Sequence, residues 1–118
     1  MTSQIYYIQE LIMNLDIKKS QKQIQILFVD DDRIDATNLK QVKELLSPHV
    51  LEIQQSTIEE LELDFHSINY IDSSGLAMII NIYKKLLSKD QNLTIINSST
   101  FVQEIFKVTK LDTFINIR

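Results

Sequence analysis

The 118-residue chain contains no cysteine, and it has only one glycine and one proline. Without cysteine there can be no disulfide bond, no thiolate nucleophile and no cysteine-ligated zinc site. No apolar run approaches the roughly 20 residues of a membrane-spanning helix, so we expect no membrane insertion. The amino-terminal residues also lack the basic start and small-residue cleavage site of a signal peptide. These absences favour a cytoplasmic protein.

Clustered positive charge is also missing. The net charge is −4, and the 12 lysines and arginines are scattered along the chain. Proteins that bind nucleic acid need a basic surface for the phosphates, so we expect no nucleic-acid partner. The two histidines, His49 and His66, are more typical of surface or half-buried positions than of a metal site or general base. We therefore expect no metal, no cofactor and no catalytic residue, which means that the protein is not an enzyme.

The order of apolar patterns predicts the fold class. Apolar residues make up 44 % of the chain, which is typical of a globular protein, and the length fits a single domain over residues 1–118. Strands are predicted at 11–17, 24–29, 61–65, 93–97 and 114–117. Helices are predicted from residue 35 to Pro48, over 74–89 and from residue 100 onwards. This alternation indicates an α/β fold with a mostly parallel sheet and helices packed on it.

Local signals predict where the helices begin and end. Asp35 or Thr37 is expected to cap the first helix and Pro48 to end it. Residues 49–60 are ambiguous and could hold a short strand or an extra turn. Thr100 and Gln103 resemble a capping box for the last helix. The inward residues predicted for that helix are Val102, Ile105, Phe106 and Thr109.

The 74–89 helix shows a clear apolar stripe. The stripe consists of Leu76, Ile79, Ile80, Tyr83, Leu86 and Leu87. Met78 and Ile82 lie four residues apart and off this stripe. They are expected either to form an exposed apolar contact or to pack against a neighbouring helix.

The only glycine, Gly75, follows Asp72-Ser73-Ser74 at a predicted strand–helix junction. A helix start has unpaired N–H groups and partial positive charge, so it can hold an anion, including a phosphate on one of its own serines. The alternative is that the turn only caps the helix, because Asp and Ser are preferred caps. The turn lacks the Gly-x-Ser-x-Gly pattern of serine hydrolases and the second glycine and lysine of a P-loop.

The stretch LELDFHSINYIDSSGLAMIINIYKKL resembles the central motif of STAS domains, especially the bacterial anti-sigma factor antagonists. The segments DRIDATNLKQVKELL and INSSTFVQEIFKVTKLDTFINI extend the resemblance to about residues 24–117. In this family's pattern Asp32 and Lys110 stand in place of glycines, and Thr100 stands in place of a proline. The resemblance implies the STAS fold.

The resemblance also implies a function. The unmodified protein would bind a serine kinase that doubles as an anti-sigma factor, and so release the sigma factor. Phosphorylation of Ser73 would abolish binding, and a metal-dependent serine phosphatase would restore it. Gly75 would let the kinase approach Ser73 closely.

We expect the partner surface to surround this serine. Its predicted residues are Asp35, Asp72, Ser73, Ser74, Gly75, Met78 and Ile82. Asp35 matches the acid of the family's Gly-x-Leu-Asp stretch. Met78 and Ile82 would supply an apolar contact beside Ser73.

Two alternatives remain open from the sequence. ILFVDDDRIDATNLKQVKELL also resembles the start of a two-component receiver domain, in which clustered acids such as Asp31 bind Mg²⁺ and Asp64 would accept the phosphoryl group. A STAS domain could instead be a non-catalytic subunit or regulator of another assembly, such as a lipid-transport system, because fold does not fix function.

Overall fold

The computed structural model describes residues 2–6, which form a strand, and residues 15–118. The strands of the main sheet are β1 (Thr2–Tyr6), β2 (Leu15–Lys19), β3 (Gln23–Phe28), β5 (Glu60–Asp64), β7 (Asn92–Ile96) and β8 (Asn116–Ile117). They lie in the order β1-β2-β3-β5-β7-β8. The β1–β2 and β2–β3 pairs are antiparallel, and the other three pairs are parallel. The predicted α/β class with a mixed, mostly parallel sheet is confirmed.

A second sheet holds two short parallel strands, β4 (Arg33–Ile34) and β6 (Tyr70–Ile71). The helices are α1 (Leu39–Gln54), α2 (Ser73–Leu87) and α3 (Thr100–Val108), followed by a 3-10 turn at Leu111–Thr113. Successive crossovers advance in one direction along the main sheet, so right-handed connections place the three helices on the same face. None of the helices in the described residues is both long enough and apolar enough to cross a bilayer.

The predicted pair of amino-terminal strands forms the β2–β3 hairpin. Residues 11–14 of the first predicted strand lie outside the described residues. The strand continues to Lys19 because the turn is shorter than predicted: the Ser20 amide donates to the Gln23 carbonyl at 2.8 Å. The strand β1, which the sequence did not predict, pairs with the outer edge of β2.

Helix α1 begins later than predicted. Asn38 is its N-cap, and no side chain bonds to the first turn. The Asn38 side chain instead turns back, accepting from the Asp35 amide at 2.9 Å and donating to the Arg33 carbonyl at 2.8 Å. The prediction that Asp35 or Thr37 caps the helix is therefore wrong, since both lie in the preceding turn.

Pro48 lies inside α1, so the prediction that it ends the helix is wrong. A proline removes one intrahelical hydrogen bond, but the residues that follow it contact the core. His49, Val50 and Ile53 are buried, and their packing holds the helix together beyond the proline. The ambiguous stretch 49–60 thus contains the end of α1, a turn and the first residue of β5.

The start of α3 also differs in detail from the prediction. The cap is Ser99 rather than Thr100, and its hydroxyl accepts from the Val102 amide at 3.2 Å. Val102 and Phe106 are buried as predicted, Ile105 is half-buried and Thr109 is exposed. Past the end of the helix Lys110 adopts φ of 61°, the left-handed conformation that favours glycine.

The sheet has two different faces. Alternate side chains of the central strands, such as Ile26 on β3 and Leu63 on β5, are fully buried beneath the helices. On the other face Glu62 accepts hydrogen bonds from Gln23 and Gln25. The parallel strands β3, β5 and β7 end at one edge of the sheet, which is where ligand and partner sites commonly form in α/β folds.

Candidate functional site

Two loops at the carboxyl edge of the sheet position the start of α2. One loop follows β3 and contains β4, and the other follows β5 and contains β6. The Asn69 amide donates to the Asp32 carbonyl at 2.7 Å. The Ser67 hydroxyl lies 2.7 Å from the Phe28 carbonyl and 2.8 Å from the Asp31 carbonyl, and its single proton is shared between them. These bonds fix the first loop against the second, so the residues before α2 have a defined position.

Asp72 is the N-cap of α2, and it joins both loops. One carboxylate oxygen accepts from the Gly75 amide at 2.9 Å and from the Ser74 hydroxyl at 2.7 Å. The other oxygen accepts from the amide of Ala36, which belongs to the first loop, at 3.0 Å. The Ser74 hydroxyl, followed by the Gly75 amide, lowers the pKa of Asp72 below its usual value. The carboxylate is therefore ionised at neutral pH.

The two serines of the motif have different environments. Ser74 is half-buried, and its hydroxyl is held by Asp72. Ser73, the first residue of α2, is exposed. Within residues 15–118 its hydroxyl forms no hydrogen bond. Of these two serines, only Ser73 therefore presents a hydroxyl that is both accessible and without a hydrogen bond in the described residues.

Gly75 is buried at the point where α2 crosses the small sheet. A Cβ atom added there would lie 2.7 Å from the Ile34 carbonyl oxygen and 2.7 Å from Cγ1 of Ile71. Its φ is not positive, so conformational freedom does not explain the glycine. The prediction that Gly75 opens a path for a kinase is wrong, because the missing side chain would point into the protein.

Asp35 is buried in the turn before α1. Its carboxylate accepts from the Thr37 amide at 2.9 Å and from the Thr37 hydroxyl, and Nη1 of Arg33 lies 3.9 Å away. These bonds shape the turn that offers the Ala36 amide to Asp72. The structure thus brings Asp35 and Asp72 to the same site, connected through Ala36.

Met78 and Ile82 do not lie on the surface beside Ser73. Their side chains are only 3 % and 6 % exposed and belong to the hydrophobic core. The prediction of an exposed apolar contact is wrong, and its alternative is correct: both residues pack where α2 meets α1. Because α2 contacts both α1 and the sheet, its buried surface covers a wider arc than a single stripe. Leu87, at the edge of the predicted stripe, is exposed.

Sequence reasoning missed an exposed aromatic pair near the motif. Tyr70 of β6 and Phe101 of α3 stack with their ring centroids 5.5 Å apart and their planes at 20°. The two side chains are 45 % and 46 % exposed. The available signal was that Phe101 falls outside the inward positions of α3, while Tyr70 lies two residues before Asp72.

The acids of the receiver alternative do not assemble a metal site in the described residues. No group of three or more His, Cys, Asp or Glu side chains there could hold a metal ion. Burial, above all other causes, raises the pKa of Asp31 above its usual value. Asp64 instead accepts from the His66 amide at 2.9 Å and from the Asn97 side chain at 3.2 Å.

Comparisons with known proteins agree with this architecture. A family model of the STAS domain matches residues 17–118. An anti-sigma-B factor antagonist of Listeria monocytogenes is 26 % identical over 106 residues, which cover 90 % of this chain and 89 % of that protein. A solved structure of the anti-sigma factor antagonist SpoIIAA in its unphosphorylated form superposes with a TM-score of 0.68 at 15 % identity, over 88 % of this chain and 87 % of the other. The phosphorylated form of the Bacillus SpoIIAA gives 0.63 at 13 % identity, over 88 % and 90 %.

Proposed function

Because this chain belongs to the STAS domain family, we propose that it is an anti-sigma factor antagonist whose binding is switched by phosphorylation of Ser73. The relatives named as antagonists support the coarse role. The finer assignment depends on one observation, the exposed and unbonded hydroxyl of Ser73 beside the capped start of α2.

The local structure favours Ser73 over its neighbour as the phosphate acceptor. Phosphorylation of Ser74 would remove its hydrogen bond to Asp72 and disturb the cap of α2. A phosphate on Ser73 would occupy the first position of a helix, where the helix dipole favours negative charge. The protein would then accept the modification without losing its fold.

The switch would act through the charge that a partner must bury. Two small exposed residues lie near Ser73. Ala77 is four residues further along α2, and the amide of Ala36 donates to Asp72, the residue before Ser73. Their small side chains would let a partner approach Ser73 closely. A phosphate would add roughly −1.5 to −2 of charge beside the ionised Asp72. Burying it without enough compensating charge costs several kcal/mol, and about 3 kcal/mol already weakens binding roughly a hundredfold.

The other residues of the motif would support Ser73 rather than react. Asp72 would fix the helix start, Gly75 would let α2 pack on β4, and Asp35 would shape the adjoining turn. In this proposal the partner is a serine kinase that acts as the anti-sigma factor in the cytoplasm, and a metal-dependent serine phosphatase removes the phosphate. The protein itself would be a non-catalytic regulator.

Phosphate mapping tests the assignment. Incubation with the anti-sigma kinase of the source organism and ATP, followed by mass spectrometry, should place one phosphate on Ser73. Ser73→Ala should abolish the modification, while Ser74→Ala should still be modified. Phosphate on Ser74, Thr94 or Asp64 in the wild-type protein would exclude Ser73 as the acceptor.

A further inference from the structure

A cleft with a volume of about 340 Å³ separates α1 from α2. Leu46 and Val50 of α1 and Met78 and Ile82 of α2 form its apolar lining. This volume is at the lower end of the roughly 300–1,000 Å³ of small-molecule pockets. The cleft is distinct from the motif turn, since its lining residues come from the later turns of α2 and from the middle of α1.

The charge around the cleft is opposite to that of the whole protein. The chain carries a net charge of −4, yet Lys43, Lys84 and Lys85 line the cleft and no aspartate or glutamate does. All three lysines are exposed, and their ammonium groups form no ion pair within residues 15–118. An apolar lining with unpaired cations beside it is complementary to a ligand that has an apolar body and an anionic end.

We propose that this cleft binds a single-chain anionic amphiphile, with a medium-chain carboxylate as its simplest form. The alkyl chain would lie against Met78, Ile82, Leu46 and Val50, and the carboxylate would meet the lysines. Burial of each methylene group contributes roughly 0.8 kcal/mol, so the chain supplies affinity and the lysines supply selectivity for the anion.

The narrowness of the cleft favours this ligand over a helical peptide. Its volume of about 340 Å³ can hold an alkyl chain but cannot enclose a helix. A helix with its side chains is about 10–12 Å across, and a stable protein interface buries about 800 Å² on each side. A thin alkyl chain can enter between α1 and α2, whereas a helix would cover only their rims.

A set of matched probes tests the proposal. Decanoate, 1-decanol and decyltrimethylammonium share one alkyl chain and differ in the charge of the head group. Titrations of the full chain, below micelle-forming concentrations and followed by amide chemical shifts, should show decanoate binding at least tenfold more tightly than 1-decanol. The cation should bind more weakly than both. The shifted amides should belong to the facing turns of α1 and α2.

Variants separate the contribution of the lysines from that of the apolar lining. Lys43→Gln, Lys84→Gln and Lys85→Gln combined should lower the affinity for decanoate at least tenfold and leave that for 1-decanol unchanged. Lys22→Gln, Lys107→Gln and Lys110→Gln change the net charge equally and should have little effect. Ser47→Phe, at an exposed position that lines the cleft, should fill it and abolish binding of both probes.

Three results would overturn the proposal. The first is equal affinity for the three probes, and the second is binding of decanoate that the first triple variant does not change. The third is binding of an acidic, leucine-containing helical peptide with the same dependence on the three lysines while decanoate fails to bind. That third result would assign the cleft to a protein segment.

Discussion

Two sides of α2 have opposite relations to solvent, one that includes Ser73 and Ala77 and one that includes Met78 and Ile82. Ser73 and Ala77 are exposed, and the Ser73 hydroxyl has no partner in the described residues, whereas Met78 and Ile82 are buried where α2 meets α1. One helix thus carries an exposed serine at its start and part of the protein core further on. Changes at Ser73 should alter binding with little effect on stability, and changes at Ile82 should do the reverse.

Ile82→Asp should have the largest effect on stability. It places a carboxylate at a site that is 6 % exposed and packed among apolar side chains. We expect a loss of more than about 4 kcal/mol in the free energy of unfolding, enough to prevent folding of a marginally stable chain. Circular dichroism and urea titration measure it. Ile82→Val, the matched control, should cost only about 1 kcal/mol. A cooperatively folded Ile82→Asp protein with near-wild-type stability would contradict the buried assignment.

Gly75→Ala should have the next largest effect. Alanine is the better helix former by about 1 kcal/mol, but its Cβ would overlap the Ile34 carbonyl oxygen and the Ile71 side chain. We expect a net loss of about 2–3 kcal/mol in urea unfolding. Ala77→Gly, the reverse change at an exposed position of the same helix, should cost about 1 kcal/mol from helix propensity alone. If Gly75→Ala stabilised the protein, close packing could not be the reason for the glycine.

Asp72→Ala should have a smaller effect that depends on pH. The variant loses the cap that holds the Gly75 amide and the Ser74 hydroxyl, so thermal unfolding at pH 7 should occur at a lower temperature than in the wild type. Because the pKa of Asp72 is lowered in the folded state, its stabilisation is complete above the unfolded value of 3.8 and is lost as the pH falls below it. The difference between the two proteins should therefore shrink towards pH 3. A difference that stayed constant down to that pH would exclude the ionised carboxylate as its source.

Much of the fold could be predicted from the sequence because periodicity reports burial directly. The alternation of strands and helices gave the α/β class, and the Asp72-Ser73-Ser74-Gly75 order placed the motif at a strand–helix junction. The spacing of apolar residues along α2 could not show that this helix packs against α1 as well as against the sheet. For that reason the sequence leaves both an exposed contact and packing against a neighbouring helix open for Met78 and Ile82, and the structure shows that they are buried.

The details that failed depend on competing contacts that adjoining residues do not reveal. Pro48 normally ends a helix, but buried side chains beyond it keep α1 intact. The Asn38 side chain forms its hydrogen bonds with backbone groups of the turn before α1, not with the free amides of the helix. Gly75 looked like an opening for a partner, and the tertiary contact with Ile34 explains it instead. To predict each of these details correctly, one would need to know the contact with a residue distant in the sequence or the path of the backbone.

The affinity of Ser73→Asp for the anti-sigma kinase tests the central claim most directly. Calorimetric titration should show binding at least a hundredfold weaker than that of the wild type, because a charge must be buried beside Asp72. Ser73→Ala should bind like the wild type, and the free energies of unfolding of both variants should stay within about 0.5 kcal/mol of it. If Ser73→Asp bound the kinase as tightly as the wild type, the phosphorylation switch would be contradicted. The role as a non-catalytic STAS subunit of another assembly would then be preferred.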